Sequence, residues 1–150
     1  MGKCYNLTFD STDFYGGANN NKRTYFVNWS FLPNDKSYKV TFSYMSVAST
    51  NVDGLTAVMS LLLNLGATDS FFADNTGINS TQFMGNLKVA SVGTNNYFFA
   101  DKTTNQEIYL NSRPTQNVLE VQLHQGLSGT NFANPVPTNY VLTLCFEECE

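Results

Sequence analysis

The sequence predicts an all-β protein, and three observations lead to that fold class. Short segments in which apolar and polar residues alternate recur along the chain, and this period of two is typical of strands with one buried face. Gly, Pro, Asn and Asp separate the segments, as turn residues do. Aromatic residues make up 14% of the chain and charged residues only 13%, so Asn, Thr and Ser supply most of the polar surface. Short strands at this spacing predict a sandwich or a barrel.

Nine segments fit this description, which gives eight or nine strands. In chain order they are residues 3–9, 23–31, 38–47, 55–65, 83–92, 96–100, 108–111, 118–125 and 139–147. The segment 55–65 also fits a helical stripe, and its length favours a helix, but the all-β context and the flanking turns favour a strand. Two packed antiparallel sheets are expected. The side chains predicted to face their common core are Phe42, Tyr44, Leu119, Val121, Leu123, Leu142 and Leu144.

Three local features refine the strand prediction. The pair Arg113-Pro114 predicts a corner between two strands, because Pro has no N–H to donate to a ladder. The alternation that begins at residue 38 shifts to Met45 and Val47, which predicts a bulge or a bend. Trp29 alternates with Val27 and Phe31, which favours core packing over an exposed platform for a sugar.

Length and charge exclude several classes of function. The 150 residues form one domain, residues 1–150, which is long enough for one core. The net charge is −4 and the 8 Lys and Arg are scattered, so binding to nucleic acid is not expected. No apolar run approaches the roughly 18 residues of a membrane span. The first residues lack the apolar core of a signal peptide, so the chain is made and kept in the cytosol or has lost a signal.

The three cysteines, Cys4, Cys145 and Cys149, lie near the two ends of the chain and lack metal-type spacing. Their odd number favours reduced thiols. If the first and last strands are neighbours, however, Cys4 would approach Cys145 or Cys149. The sequence does not choose between these arrangements.

Groups that carry out chemistry are sparse. His124 is the only histidine, and it alternates with polar residues, which predicts an exposed side chain. Neither a nucleophile motif nor a phosphate-binding loop occurs. Calcium binding through Asp10 and Asp13, or through Asp69 and Asp74, lacks a supporting loop pattern. The sequence therefore predicts that the protein is not an enzyme and uses no cofactor and no metal.

Two roles without catalysis remain: a binding module, for example for carbohydrate, and an assembly unit. Few charges, many aromatics and uncharged polar loops favour assembly, because a contact between such surfaces buries few unpaired charges. Residues 55–65 are apolar on both strand faces, whereas a sandwich strand needs only one apolar face. Val58 and Leu62 lie on the second face, so they are candidate residues for self-association.

Three segments carry a resemblance to a known family: KCYNLTF at 3–9, LPNDKSYKVTFSYMS at 32–46 and EIYLNSRPTQNVLEVQL at 107–123. They resemble single jelly-roll capsid proteins, most closely the minor capsid or penton-type proteins of large double-stranded DNA viruses. The resemblance implies an eight-stranded antiparallel jelly-roll sandwich in the virion, assembled in the host cytoplasm. It implies a pentamer or trimer that also contacts other capsid proteins, and it implies no catalytic residues.

The alternative to a capsid protein is a carbohydrate- or receptor-binding β-sandwich. Such a module would be lectin-like, or would be a secreted trimer similar to tumour necrosis factor or C1q. The missing signal peptide and the three cysteines count against the secreted trimer.

Overall fold

The computed structural model describes residues 2–12, 16–19, 22–48, 59–63, 65, 82–92, 95–100, 107–125 and 139–149. These residues contain ten strands and one 3-10 turn, Trp29–Phe31, and every strand pair is antiparallel. The strands are β1 (Cys4–Asp10), β2 (Gly16–Asn19), β3 (Lys22–Phe26), β4 (Ser37–Ala48), β5 (Met59–Leu63), β6 (Gln82–Val92), β7 (Asn95–Ala100), β8 (Ile108–Leu110), β9 (Val118–Gln125) and β10 (Tyr140–Cys149). The all-β prediction is confirmed.

The strands form one hydrogen-bonded path, β1-β10-β4-β7-β6-β5-β9-β3-β2, with β8 also paired to β4. The long strand β6 is the point where this path turns from one sheet into the other. Its first half, up to Leu87, pairs with β5, and its second half, from Lys88, pairs with β7. We call β1, β10, β4, β7 and β8 the first sheet, and β5, β9, β3 and β2 the second sheet.

Aromatic contacts join the inner faces of the two sheets. The rings of Phe9 on β1 and Tyr25 on β3 lie 4.9 Å apart, and the hydroxyls of Tyr25 and Tyr140 are hydrogen-bonded at 2.7 Å. At the other end of β10, Phe146 meets Trp29 edge-on with ring centroids 5.7 Å apart. The two sheets therefore pack face to face over a core that β10 crosses from end to end.

The seven side chains predicted to face the core are all buried, which confirms that list. The alternation explains why. In β10 the even-numbered side chains from Tyr140 to Phe146 are buried, whereas Val141 on the opposite face is exposed. Burying one aliphatic side chain of this size contributes roughly 1.5–3 kcal/mol, so the shared core is the main source of stability.

The strand predicted at residues 23–31 is shorter than expected. It ends at Phe26, and a 3-10 turn follows, in which the side-chain Oδ1 of Asn28 accepts a hydrogen bond from the Ser30 backbone N–H. This side-chain cap competes with the strand ladder, because Asn offers the backbone a local partner. Trp29 is buried as predicted, but Phe31 is exposed instead of facing the core.

The bulge predicted at Met45 is wrong. The register between β4 and β10 runs unbroken from Ser37 to Ser46, so Met45 points outward and Ser46 points into the core. The neighbouring strands β10 and β7 hold β4 in register, so apolar Met45 faces outward and polar Ser46 faces the core against their polarity.

The described residues form ten strands, one or two more than the eight or nine that the segments predict. Gly16–Asn19, which lies between two predicted segments, forms the strand β2 against β3. The predicted segments 96–100 and 108–111 correspond to β7 and β8, which pair with different parts of β4. The corner predicted at Arg113-Pro114 is confirmed, since β8 belongs to the first sheet and β9 to the second.

The segment 55–65 is a strand where the structure describes it. Met59–Leu63 forms β5, which lies between β6 and β9. Residues 55–58 lie outside the described residues. The choice of strand over helix is therefore confirmed for the second half of the segment.

Cys4 and Cys145 form a disulfide, so the preference for reduced thiols is wrong for these two residues. The cysteines are diagonal neighbours on the outward face of β1 and β10, because Cys4 pairs with Glu147 and Cys145 pairs with Asn6. Their Cα atoms are 6.4 Å apart, within the range that a disulfide spans. The bond ties the edge strand β1 to β10, while Cys149 remains a free thiol.

Alkylation of the unreduced protein tests this pairing. In denaturant without reductant, iodoacetamide should add to one thiol per chain, at Cys149, and after reduction it should add to three. Intact-mass measurement counts the adducts, and peptide mapping locates them. Three adducts before reduction would show that Cys4 and Cys145 are free thiols.

A cluster of tyrosines fills one end of the core. Burial raises the pKa of Tyr44 and that of Tyr140 well above the usual value, and the two rings stack with centroids 5.5 Å apart. At the other end of β4, burial raises the pKa of Tyr38 to about 12. The hydroxyl of Tyr44 is buried and has no hydrogen-bond partner within the described residues.

These tyrosines make the fold sensitive to alkali. Their folded-state pKa lies above the unfolded value near 10, so their contribution is complete below pH ~10 and is lost as pH rises toward the folded-state pKa. Tyr44→Phe should make the fall in unfolding free energy above pH ~10 shallower, by up to about 1.4 kcal/mol per pH unit. Urea unfolding at a series of pH values measures this slope.

Tyr109→Phe is the matched control, because Tyr109 is exposed and its ring lies on the outward face. Its effect on the slope should be smaller than that of Tyr44→Phe. Equal slopes for the two variants would contradict the assignment of alkaline sensitivity to the buried cluster.

Candidate functional site

The outward face of the first sheet is organised in cross-strand rows, because residues paired across antiparallel strands share a face. From one end of the sheet to the other, the rows change from apolar to hydroxyl-bearing to charged. The face is therefore chemically polarised along the strands.

The apolar end of this face is the row Val141, Met45 and Phe99, which we call the apolar row. Val141 pairs with Met45, and Met45 pairs with Phe99. Met45 is 61% exposed and Val141 is 47% exposed, so two adjacent apolar side chains meet solvent. Asp10 continues the row on β1, opposite Val141.

The middle of the face carries hydroxyl groups. Thr8 pairs with Thr143, and Thr143 pairs with Ser43. The two threonine hydroxyls are 3.0 Å apart and form a hydrogen bond across β1 and β10. Ser43 is exposed and lies two residues from Met45 on the same face of β4.

The far end of the face is charged. The Lys39 ammonium lies 3.0 Å from a carboxylate oxygen of Glu147 and 3.9 Å from one of Glu107. Its hydrogen bond to Glu147 raises the pKa of Lys39. The Tyr109 hydroxyl donates a 2.8 Å hydrogen bond to Glu107, which raises the pKa of that tyrosine. One ammonium faces two carboxylates, so the network keeps a net negative charge, which suits a surface that remains in water.

The second sheet also exposes an aromatic side chain. Phe26, at the end of β3, is 63% exposed and pairs with Val118 of β9. Further along the same two strands, the Lys22 ammonium lies 3.8 Å from a Glu120 carboxylate oxygen. This face therefore also runs from an apolar end to a charged end.

The two residues predicted to mediate self-association are only partly located. Val58 lies outside the described residues. Leu62 lies on β5, a strand with neighbours on both sides, and it pairs with Phe83 on β6 and with Gln122 on β9. The Gln122 side chain is nearly buried and donates a hydrogen bond to Glu120. The role of Leu62 in self-association stays a prediction.

The other residues that the sequence analysis named do not converge on a site. Trp29 is 4% exposed, so it offers no platform for a sugar ring. His124 pairs with Ser60 in the second sheet, away from the apolar row. Asp10 accepts hydrogen bonds from the backbone N–H and hydroxyl of Thr12, which lower its pKa. Asp13, Asp69 and Asp74 lie outside the described residues.

Within the described ranges, no group of three His, Cys, Asp or Glu residues is arranged to hold a metal ion. No helix in that part of the chain is long and apolar enough to cross a membrane.

The apolar row does not follow from the sequence alone, although its three residues lie in predicted strands. Met45 was expected to face the core through a bulge. Which of two adjacent residues, Met45 or Ser46, faces outward depends on the register with β10, and β10 follows more than 90 residues later. Val141 carried a usable signal, because it is an apolar residue at an outward position of an otherwise regular alternation.

Comparison with known proteins gives little further information. No protein-family model and no curated protein matches the chain. Among solved structures, the chain is similar to the VP16-VP17 complex, a complex of the two major capsid proteins of bacteriophage P23-77. The identity is 8% and the TM-score is 0.11, over 99% of this chain and 90% of that chain. A TM-score of this size does not distinguish a shared fold from chance.

Proposed function

We propose that the protein is a structural virion protein, a penton or minor capsid component that acts by self-association and by contacts with other capsid proteins. The observation that carries the proposal is the apolar row, where Met45 and Val141 lie exposed side by side on the outward face of the first sheet. Methionine and aromatic side chains are enriched at the centres of protein interfaces. The proposal assigns the protein no reaction and no cofactor.

The strand order supports a jelly-roll arrangement for this building block. If β7 and β8 count as one strand and β2 as an addition, the sheets read β1-β10-β4-β7 and β3-β9-β5-β6. The first and last strands are then neighbours, and consecutive strands alternate between sheets except at β5 and β6. Two interlocked Greek keys would produce this order, so the strand order supports the jelly roll that we propose.

The polarised outward face supports a closed ring of three or five copies. In a cyclic assembly, each copy presents two different surfaces to its two neighbours. The apolar row supplies a contact through Met45 and Val141 with Asp10 at its edge, while the network around Lys39 stays in water at the other end. The disulfide between Cys4 and Cys145 suits a particle that leaves the reducing cytoplasm after assembly.

The variant Met45→Asp tests the role of the apolar row. An aspartate there would be an unpaired charge in the contact, so the assembly should dissociate at least tenfold more readily. Size-exclusion chromatography with light scattering measures the mass, and circular dichroism checks that the β-sheet remains.

Ser43→Asp is the control, since Ser43 is exposed on the same face and strand but lies outside the apolar row. It should leave the assembly intact. Dissociation by both variants would mean that added charge on this face is the cause, and dissociation by neither would exclude the apolar row as the contact. Leu62→Asp is measured in parallel. Dissociation by this variant alone would place the contact on β5, and dissociation by Met45→Asp alone would place it on β4.

The alternative function is a carbohydrate- or receptor-binding module. The burial of Trp29 removes the stacking surface that such a module would have used. A different part of the molecule, the corner between β8 and β9, bears on ligand binding independently of assembly.

A further inference from the structure

A polar cleft lies between the 3-10 turn and the corner that joins β8 to β9. Its lining residues are Asn28, Trp29, Ser30, Arg113, Pro114, Thr115 and Asn117. Its volume is about 220 Å³, smaller than the roughly 300–1,000 Å³ of a drug-sized pocket. A ligand about the size of one monosaccharide matches this space.

Hydrogen bonds to backbone carbonyls hold the two walls of the cleft together. The Val27 backbone N–H donates to the carbonyl of Asn117 at 2.8 Å, and the Trp29 indole N–H donates to the carbonyl of Gln116 at 2.7 Å. The Arg113 guanidinium donates to the carbonyl of Leu32 at 2.9 Å. The cleft is therefore set by the fold before any ligand arrives, which lowers the entropic cost of binding.

Arg113 gives the cleft a positive charge. Its side chain is half-buried, and one Nη1–H is used by the Leu32 carbonyl, out of the five N–H donors of a guanidinium. None of the ion pairs formed among the described residues involves Arg113. The described residues that line the cleft include no acidic side chain. A planar guanidinium with donors to spare is suited to bidentate recognition of a carboxylate.

The remaining polar groups both donate and accept hydrogen bonds. Ser30 and Thr115 bring hydroxyls, and Asn28 and Asn117 bring amides. The side-chain Oδ1 of Asn28 caps the 3-10 turn, so the N–H groups of the same side-chain amide are available for a ligand. Groups of this kind match sugar hydroxyls, which also act as donor and acceptor.

We propose that this cleft binds an acidic monosaccharide unit of a glycan, with the ligand carboxylate on Arg113 and its hydroxyls on Asn28, Thr115 and Asn117. An acidic peptide also carries donors and acceptors, but they are spaced along an extended backbone, whereas an acidic monosaccharide places its carboxylate and several hydroxyls around one ring. The small cleft, with polar side chains on both walls, therefore favours an acidic sugar over an acidic peptide. This inference does not rest on the capsid proposal, because the cleft and the apolar row lie at opposite ends of β4. The cleft lies near Tyr38 at the start of the strand, and the apolar row contains Met45 toward its other end.

The cleft contains its own reporter. Trp29 is the only tryptophan of the chain, and it lines the cleft, so intrinsic fluorescence reads the site directly. Methyl glucuronide is the test ligand, and methyl glucoside is its neutral match, which carries a hydroxymethyl group in place of the carboxylate. Methyl glucuronide should change the Trp29 emission saturably, with a dissociation constant on the order of 1 mM, and methyl glucoside should bind at least about tenfold more weakly.

Two variants locate the binding groups. Arg113→Lys keeps the charge but loses the planar fork, so it should weaken methyl glucuronide binding about five- to tenfold. Asn117→Ala should weaken binding of both sugars, since its side chain is exposed and only its backbone carbonyl holds the wall. Thermal melting confirms that each variant is folded.

Three outcomes would overturn the proposal. They are equal binding of the two sugars, unchanged binding in folded Arg113→Lys, and no change in Trp29 emission at tens of times the expected dissociation constant. N-acetylglutamate amide, a glutamate side chain between two peptide-like amides, represents an acidic peptide in a fourth measurement. If it binds as tightly as methyl glucuronide, the cleft recognises a protein carboxylate, and the sugar assignment is wrong.

Discussion

The packing of β10 is the constraint on which the rest of the structure depends. This strand lies between β1 and β4, so its register fixes two neighbours at once. Its inward side chains from Tyr140 to Phe146 are buried, and they contact the second sheet through Tyr25 and the 3-10 turn through Trp29. A slip of one residue would turn every buried side chain of β10 toward solvent, so the core admits a single register.

The outward surface is a consequence of that register. Because the inward positions of β10 and β4 are fixed, Val141 and Met45 must lie together on the outward face. The same register brings Cys4 and Cys145 close enough to form a disulfide, which secures β1 at the edge of the first sheet. An edge strand presents unpaired backbone groups that invite pairing with other chains, and the disulfide limits its release.

The sequence predicts well those parts of the fold that local patterns determine. Residues 118–125 match β9 at both ends, because strict alternation marks a half-buried strand. The corner at Arg113-Pro114 follows from the missing N–H of proline. The end of β3 was harder to place, since the apolar residues Trp29 and Phe31 continue the alternation while Asn28 caps a 3-10 turn.

The candidate sites depend on distant pairing, so the sequence alone does not reveal them. Met45 becomes exposed because of the pairing of β4 with β10, and the pairing of β1 with β10 selects Cys145 as the partner of Cys4. The cleft at Arg113 forms because residues about 85 positions apart, such as Trp29 and Gln116, are hydrogen-bonded. Local periodicity identifies the strands, whereas the surfaces arise from which strands become neighbours.

Sedimentation equilibrium of the unmodified protein, over a range of concentrations at neutral pH, tests most directly whether it is a self-associating building block. The subunit mass is 16.7 kDa. A closed ring would give a mass of three or five subunits, reached cooperatively and without larger open polymers. A mass of one subunit at the highest concentration would contradict the account.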